Sequence, residues 1–251
     1  AYAARNPAIR YVRQPINLGP TPNFEQLRGL AKGDYFLFLG DDDWIDPGYI
    51  SACVQAIEAN PGSALVAGRT MKHGPGGAEP DRFPTNIVDP DPRQRVVDFC
   101  RQVRANGVFY GVMPIEVDQR APRLRNVQGG DMVHVMALAY LGPVRTVDHV
   151  AIHRTVGGMT VNLANVAATL GLGWFQAAAP QIAISYWIFR DIAFDSPLYA
   201  ELGRLGRLWL GLRAGGTVSV RFVPPAVLKF ARLQIAAISG RLRPRATALA
   251  P

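Results

Sequence analysis

The sequence predicts an α/β fold: a mixed, mostly parallel sheet flanked by helices, with a helical extension at the C-terminal end. Three observations carry this. Residues 9–68 alternate short apolar runs with helix-period segments. Residues 35–39 form a continuous aromatic and aliphatic run of the kind buried on both faces of a sheet. The charge is also unevenly divided, with 17 basic and 16 acidic side chains in residues 1–189 but 10 and 3 in residues 190–251.

Ile9–Val12 reads as a first short strand. Thr21-Pro22 offers a hydroxyl N-cap followed by Pro at the first helical position, and Phe24, Leu27 and Leu30 repeat at helical spacing up to Lys32-Gly33. Tyr35–Leu39 is the next strand, ending in Gly40-Asp41-Asp42-Asp43. Asp46-Pro47 then caps a helix whose buried stripe is Ile50, Cys53, Val54 and Ile57, and Ala64–Gly68 is the third strand. Residues 71–92, with five Pro and three Gly, read as loop. A helix over Arg93–Ala105, a strand at Val108–Val112, an irregular basic stretch with Arg120, Arg123 and Arg125, a helix from Asp131 to Leu141 and an extended Val144–His153 follow.

From Thr155 to Phe189 no residue carries a formal charge. Val166–Phe189 is long enough to cross a bilayer, but Gly171, Gly173, Gln176, Pro180, Gln181 and Ser185 interrupt it, so it reads as a buried or interfacial helix pair. Beyond Arg190, Leu202, Leu205, Leu208, Trp209 and Leu212 fall at helical spacing among basic residues. The organisation predicted is a domain over 1–160 and a helical, basic region over 161–251.

Composition excludes several classes. With 49% hydrophobic and 18% charged residues the chain is neither disordered nor collagen-like. Two cysteines, Cys53 and Cys100, make no disulfide framework or metal site alone and suit a reducing compartment. The net charge of +8 resides almost wholly in the last quarter, which argues against nucleic acid and for an anionic membrane surface as partner.

Three successive carboxylates at a strand end repel one another unless a cation or hydrogen-bond donors neutralise them. The carboxyl end of a strand is also where open α/β sheets bind ligands. Hard oxygen donors there favour Mg²⁺ or Mn²⁺. An acidic turn that merely caps the next helix is the plainer alternative.

Residues 16–50, INLGPTPNFEQLRGLAKGDYFLFLGDDDWIDPGYI, resemble the central segment of family 2 glycosyltransferases, and the resemblance extends over about residues 1–160. It implies a GT-A fold and transfer of a sugar from a nucleotide-sugar donor with inversion. The family's metal motif falls on Asp41–Asp43: Asp42 matches the carboxylate that holds the ion, Asp41 the neighbour near ribose and diphosphate, and Gly40 replaces the commoner first acid. Asn17, Gly19 and Asn23 belong to the matching donor-binding pattern. Asp131, after Gly129-Gly130, matches the general base that deprotonates the acceptor, with a helix cap as its alternative role. His153-Arg154 matches a position near the donor diphosphate; a locally satisfied strand histidine is the alternative for His153.

The resemblance further implies a glycan or lipid-linked acceptor and a role in surface polysaccharide or glycolipid synthesis, while the basic, amphipathic C-terminal part predicts a cytoplasmic, peripheral place at the inner face of the plasma membrane. The family's first strands would precede Ala1, so the expectation is a fragment that is inactive by itself. A nucleotidyltransferase and a non-catalytic GT-A-like module that binds membranes are the rival readings.

Overall fold

The computed structural model describes residues 2–81, 84–103, 106–157 and 163–241, with side chains described as far as Phe222 apart from residues 163 and 164. It is a mixed α/β fold. Helix α1 (Pro20–Leu30) leads to β1 (Tyr35–Phe36) and β2 (Trp44–Ile45), followed by α2 (Tyr49–Ala59), β3 (Leu65–Gly74) and β4 (Gly77–Pro80). Then come α3 (Pro92–Gln102), a 3₁₀ turn (Gly107–Tyr110), β5 (Met113–Pro114), α4 (Ile115–Arg120), α5 (Gly130–Leu141) and β6 (Val144–Thr155). Helices α6 (Leu163–Thr169), α7 (Trp174–Ala178), α8 (Pro180–Arg190) and α9 (Gly203–Arg241) close the described chain.

The main sheet has the order β2-β6-β3-β4, and β1 pairs with β5 in a separate two-stranded ladder. The central pair, β3 with β6, is parallel from Leu65↔Val144 to His73↔Thr155, with a register shift between Gly68 and Arg69. The shorter pairings at either side are antiparallel, β2 with β6 and β3 with β4. The sheet is therefore mixed, and its longest ladder is parallel.

Several local expectations change. Ile9–Val12 is exposed and joins no ladder; Arg10 Nη2 instead donates to the Leu30 carbonyl at 2.8 Å. Helix α1 starts at Pro20, not after Thr21, because Asn17 Oδ1 accepts from Gly19 N–H and Gly19 takes φ +77° as the N-cap. The Tyr35–Leu39 run pairs only through Tyr35 and Phe36, and Leu39 is exposed. β3 runs on through Lys72 and His73 into a hairpin with β4, in sequence that composition alone reads as loop. Asp46 is not the cap of α2: Gly48, left-handed at φ +81°, takes that position. The expected strand at 108–112 is a 3₁₀ turn, with only Val112 bridging to Val66. There Gly107 passes so close to β3 that a Cβ would overlap Thr70 Oγ1.

One core runs through the layers. It includes Phe38, Leu65, Phe99, Met113, Met136 and Leu138, and it continues into Ile188, Ile192, Tyr199, Leu210, Ala214 and Val218 of the C-terminal helices. Those helices are packed on the α/β part through α3 and α5. Among the described residues no helix is long and apolar enough to cross a membrane, and the 166–189 stretch is divided among α6, α7 and α8. Residues 158–162 of the charge-free stretch, and residues 242–251 with Arg243 and Arg245, lie outside the described residues.

On the other sheet face α2 packs through Tyr49, Cys53 and Ile57. The Tyr49 hydroxyl, fully buried, donates to the Tyr110 carbonyl at 3.1 Å and accepts from Gly68 N–H at 3.0 Å, at the point where β3 shifts register. Tyr49→Phe leaves the Gly68 N–H without its acceptor. We expect a loss of about 1–3 kcal/mol in urea unfolding with an unchanged m-value.

Candidate active site

Two structural features meet at the end of β6. The first is the acidic turn. Asp43 N–H reaches back to the Gly40 carbonyl at 3.4 Å, leaving Asp41 and Asp42 exposed and the Asp43 side chain only 4% exposed. A Cβ on Gly40 would lie 2.9 Å from Asp42 Oδ1 and 3.3 Å from Asp43 Oδ2, so both carboxylates fold over the same glycine. A side chain there would crowd them, which gives a local reason for Gly40 before this turn.

The turn is fixed by β6. Asp43 Oδ1 accepts from Thr155 N–H at 3.2 Å, and Thr155 Oγ1 donates to the Asp42 carbonyl at 2.8 Å. Arg154 Nε lies 3.6 Å from Asp43 Oδ2, an ion-pair separation at which that buried N–H makes no hydrogen bond. The carboxylate of Asp43 is thus partly neutralised within the protein, whereas Asp41 and Asp42 face solvent.

The second feature is a cavity of about 460 Å³ whose walls include Lys72, Tyr110, Asp131 and Arg154, with Phe24, Phe109 and Ile184 supplying apolar surface. Asp131 lies in the first turn of α5, but the N-cap is Gly129 at φ +74°, and no side chain caps this helix. The capping role is therefore not the one Asp131 fills. Its Oδ2 accepts from Asn106 Nδ2 at 3.0 Å. Gly130 is held tightly, since a Cβ there would overlap the Arg125 carbonyl.

Arg154 belongs to both features. It borders the Asp131 cavity, pairs with Asp43 and places its guanidinium 4.8 Å from the centre of the Tyr110 ring. Tyr110 is held above the ordinary phenol range, first by burial. The Arg154 charge opposes the shift, while the charges of Asp43, Asp131 and Asp42 add to it. Its hydroxyl thus feels both the acidic turn and Asp131.

His153 behaves differently from its neighbour. Its Nε2 bonds Asp46 Oδ1 at 2.8 Å, its Nδ1 faces His73 Nε2 at 2.8 Å, and the Trp44 ring stacks on it at 5.1 Å. Asp46 Oδ2 also accepts from Ala151 N–H, and the His153 hydrogen bond is the main reason its carboxyl sits below the usual range. His153 therefore ties β2, β3 and β6 together, while Arg154 is the residue aimed at the cavity.

Asn17, Gly19 and Asn23 line a separate open groove of about 570 Å³ that shares Pro20 with the Asp131 cavity. Of the basic loop, Arg125 lines the cavity while donating to Asp191 at 2.7 Å and Asp195 at 3.0 Å. Sequence reasoning missed Lys72, Tyr110 and Asn106. Lys72 was hidden in a segment whose composition resembles loop, and nothing in the spacing of Tyr110 or Asn106 relates them to Asp131.

The fold and site define an α/β protein with an exposed acidic turn at the sheet's end, beside a cavity whose described lining includes Asp131, Lys72, Arg125 and Arg154. Residues 1–117, just under half of the chain, match the family description Glycosyl transferase family 2. No curated protein sequence matches the chain. Among solved structures, the chain is similar to the crystal structure of S. aureus TarS 1-349 at 14% identity and TM-score 0.41, covering 80% of this chain and 60% of that one. A crystal structure of S. aureus TarS is matched at 14% identity and TM-score 0.41, with 71% and 32% covered. The TarS 1-349 complex with UDP is matched at 13% identity and TM-score 0.40, with 81% and 71% covered. The chain thus spans 60% of the first of these structures and about a third of the second.

Proposed function

We propose that this protein transfers a sugar from a nucleotide-diphosphate sugar to a hydroxyl of a glycan or lipid-linked acceptor, with inversion, as a step of surface polysaccharide or glycolipid synthesis. The catalytic work is assigned to residues 1–160. The observation that carries the reading is the double placement of Arg154, which links the acidic turn at Asp43 to the cavity of Asp131.

A divalent ion at the turn would rest on Asp41 and Asp42 rather than on a full protein cage. Among the described residues no cluster of three or more His, Cys, Asp or Glu side chains could hold an ion. The exposed carboxylates of Asp41 and Asp42, the latter folded over Gly40, would supply a few hard oxygen donors, which suits Mg²⁺ or Mn²⁺ completed by water and substrate phosphate. Such an ion would offset charge on the departing diphosphate. Arg154 and Lys72 hold the donor's anionic end toward the acidic turn, and the apolar walls limit water. Asp131, oriented through Oδ2 by Asn106, takes the proton of the acceptor hydroxyl with its other oxygen. The acceptor oxygen then bonds to the anomeric carbon as the bond to the diphosphate oxygen breaks, and one displacement inverts the centre.

The test is calorimetry of nucleoside diphosphates with and without Mn²⁺, together with transfer assays over a nucleotide-sugar panel. We expect metal-linked binding that Asp42→Asn weakens at least about tenfold, or 1.4 kcal/mol. Pyrophosphate release from a nucleoside triphosphate would point to nucleotidyl transfer instead. Nucleotide binding that ignores both Mn²⁺ and Asp42 would remove the metal from the proposal.

A further inference from the structure

Helix α9 presents two apolar faces where a surface helix has use for one. Leu210, Ala214 and Val218 are buried in the common core. At 3.6 residues per turn, Leu205, Trp209, Leu212 and Val220 fall within an arc of about 80° on the opposite side. All four are exposed, at 82%, 64%, 58% and 77%. Gly216 continues the same exposed line.

We propose that this outer face of α9 is a docking surface for an anionic lipid bilayer, on which the helix lies parallel to the membrane without entering it. Charge chooses the occupant. Residues 190–251 carry 10 basic and 3 acidic side chains, so a second copy docking through the same face would bring two strongly positive segments together. An anionic head-group layer is attracted by that charge, about 1 kcal/mol for each basic residue near the surface. The inner face of α9 fixes the depth: with Leu210, Ala214 and Val218 held in the core, only the outer half of the helix is available to lipid. Trp209, in the middle of the stripe, has the ring chemistry that favours the head-group boundary. The proposal does not depend on the sugar-transfer reading.

The experiment uses the full chain with vesicles of phosphatidylcholine alone, or of phosphatidylcholine with about 30 mol% phosphatidylglycerol. Cosedimentation is expected with the anionic vesicles at low salt, and at least about tenfold weaker with neutral vesicles or high salt. The combined Leu205→Ser, Trp209→Ser and Leu212→Ser variant is expected to lose binding by a similar factor while keeping the wild-type Tm, since none of the three side chains is in the core. In the unaltered chain, lipids brominated on their acyl chains should quench tryptophan fluorescence, and Trp209→Phe should remove most of that quenching. A wild-type chain that ignores anionic vesicles at low salt overturns the proposal. So do a triple variant that binds as well as wild type, quenching that survives Trp209→Phe, or a wild-type dimer that the triple variant dissociates.

Discussion

The Asp131→Asn variant is expected to lose about 10²–10⁴ in kcat for sugar transfer, the range supplied by a positioned general base. The amide keeps the size of the side chain and an oxygen that still accepts from Asn106, but it takes no proton. Donor affinity should therefore remain within about twofold of wild type, because the donor's anionic end is assigned to Arg154, Lys72 and the acidic turn. Equal losses in donor binding and turnover would mean that Asp131 holds the cavity's shape rather than a proton. Wild-type transfer in the variant would remove it from the chemistry altogether. Asp131 is exposed, so the variant is expected to keep the wild-type Tm.

The largest expected effect on stability lies away from that carboxylate, at Arg28 and Asp118. Asp118 is fully buried, and Arg28 Nε donates to its Oδ2 at 2.6 Å. The same guanidinium donates to the carbonyls of Asp118, Ala121 and Pro122, and His134 Nε2 stands 3.4 Å from Asp118 Oδ1. Glu25, one turn earlier on α1, accepts from Leu124 N–H at 2.7 Å. Together these contacts bind α1 to the 118–124 segment, and so hold one wall of the Asp131 cavity, where Phe24 and Leu124 both lie.

Arg28→Met should cost about 3–5 kcal/mol, because it strands a buried carboxylate; replacing Arg28 and Asp118 together by apolar residues should cost less than the single change. The pH dependence follows from Asp118. Burial pushes its carboxyl up, but the hydrogen bonds and charges of His134 and Arg28 outweigh burial and leave it below the ordinary value. The folded form thus favours the ionised carboxylate. This contribution is complete above the ordinary carboxylate range and is lost as pH falls through it and below. Urea midpoints measured from pH 6 down to about pH 3 should fall more steeply in wild type than in a variant lacking both partners. Parallel curves would place the acid sensitivity elsewhere.

Much of the candidate site was legible before the structure because the residues that mark it are close in sequence. Three adjacent carboxylates after an apolar run need no tertiary information to be noticed, and neither does an acid after two glycines at the head of a helix. Asp46 shows the limit of local reading. Asp-Pro is a sound helix-start signal, yet Gly48 takes the cap and the carboxylate of Asp46 reaches across the sheet to His153. A short-range rule cannot anticipate a partner more than a hundred residues away. His153 and Arg154 make the same point: adjacent in sequence, they point to opposite sides of β6, one into a structural cluster with Trp44 and His73, the other to the cavity.

The sequence by itself determined the α/β class, the acidic turn, the head of α5 and the basic, helix-forming character of the C-terminal quarter. Each follows from spacing, propensity or charge within a few residues. Only the tertiary structure decided which carboxylate of the triplet is paired inside, that Lys72, Tyr110, Asn106 and Arg154 surround Asp131, and which face of α9 is left outside. Leu205, Trp209 and Leu212 have the right spacing for a core stripe, but the core is already filled from the other side by Leu210, Ala214 and Val218. Periodicity shows that a helix has an apolar face. Which face is buried depends on the neighbour it packs against, and that neighbour is distant in the chain.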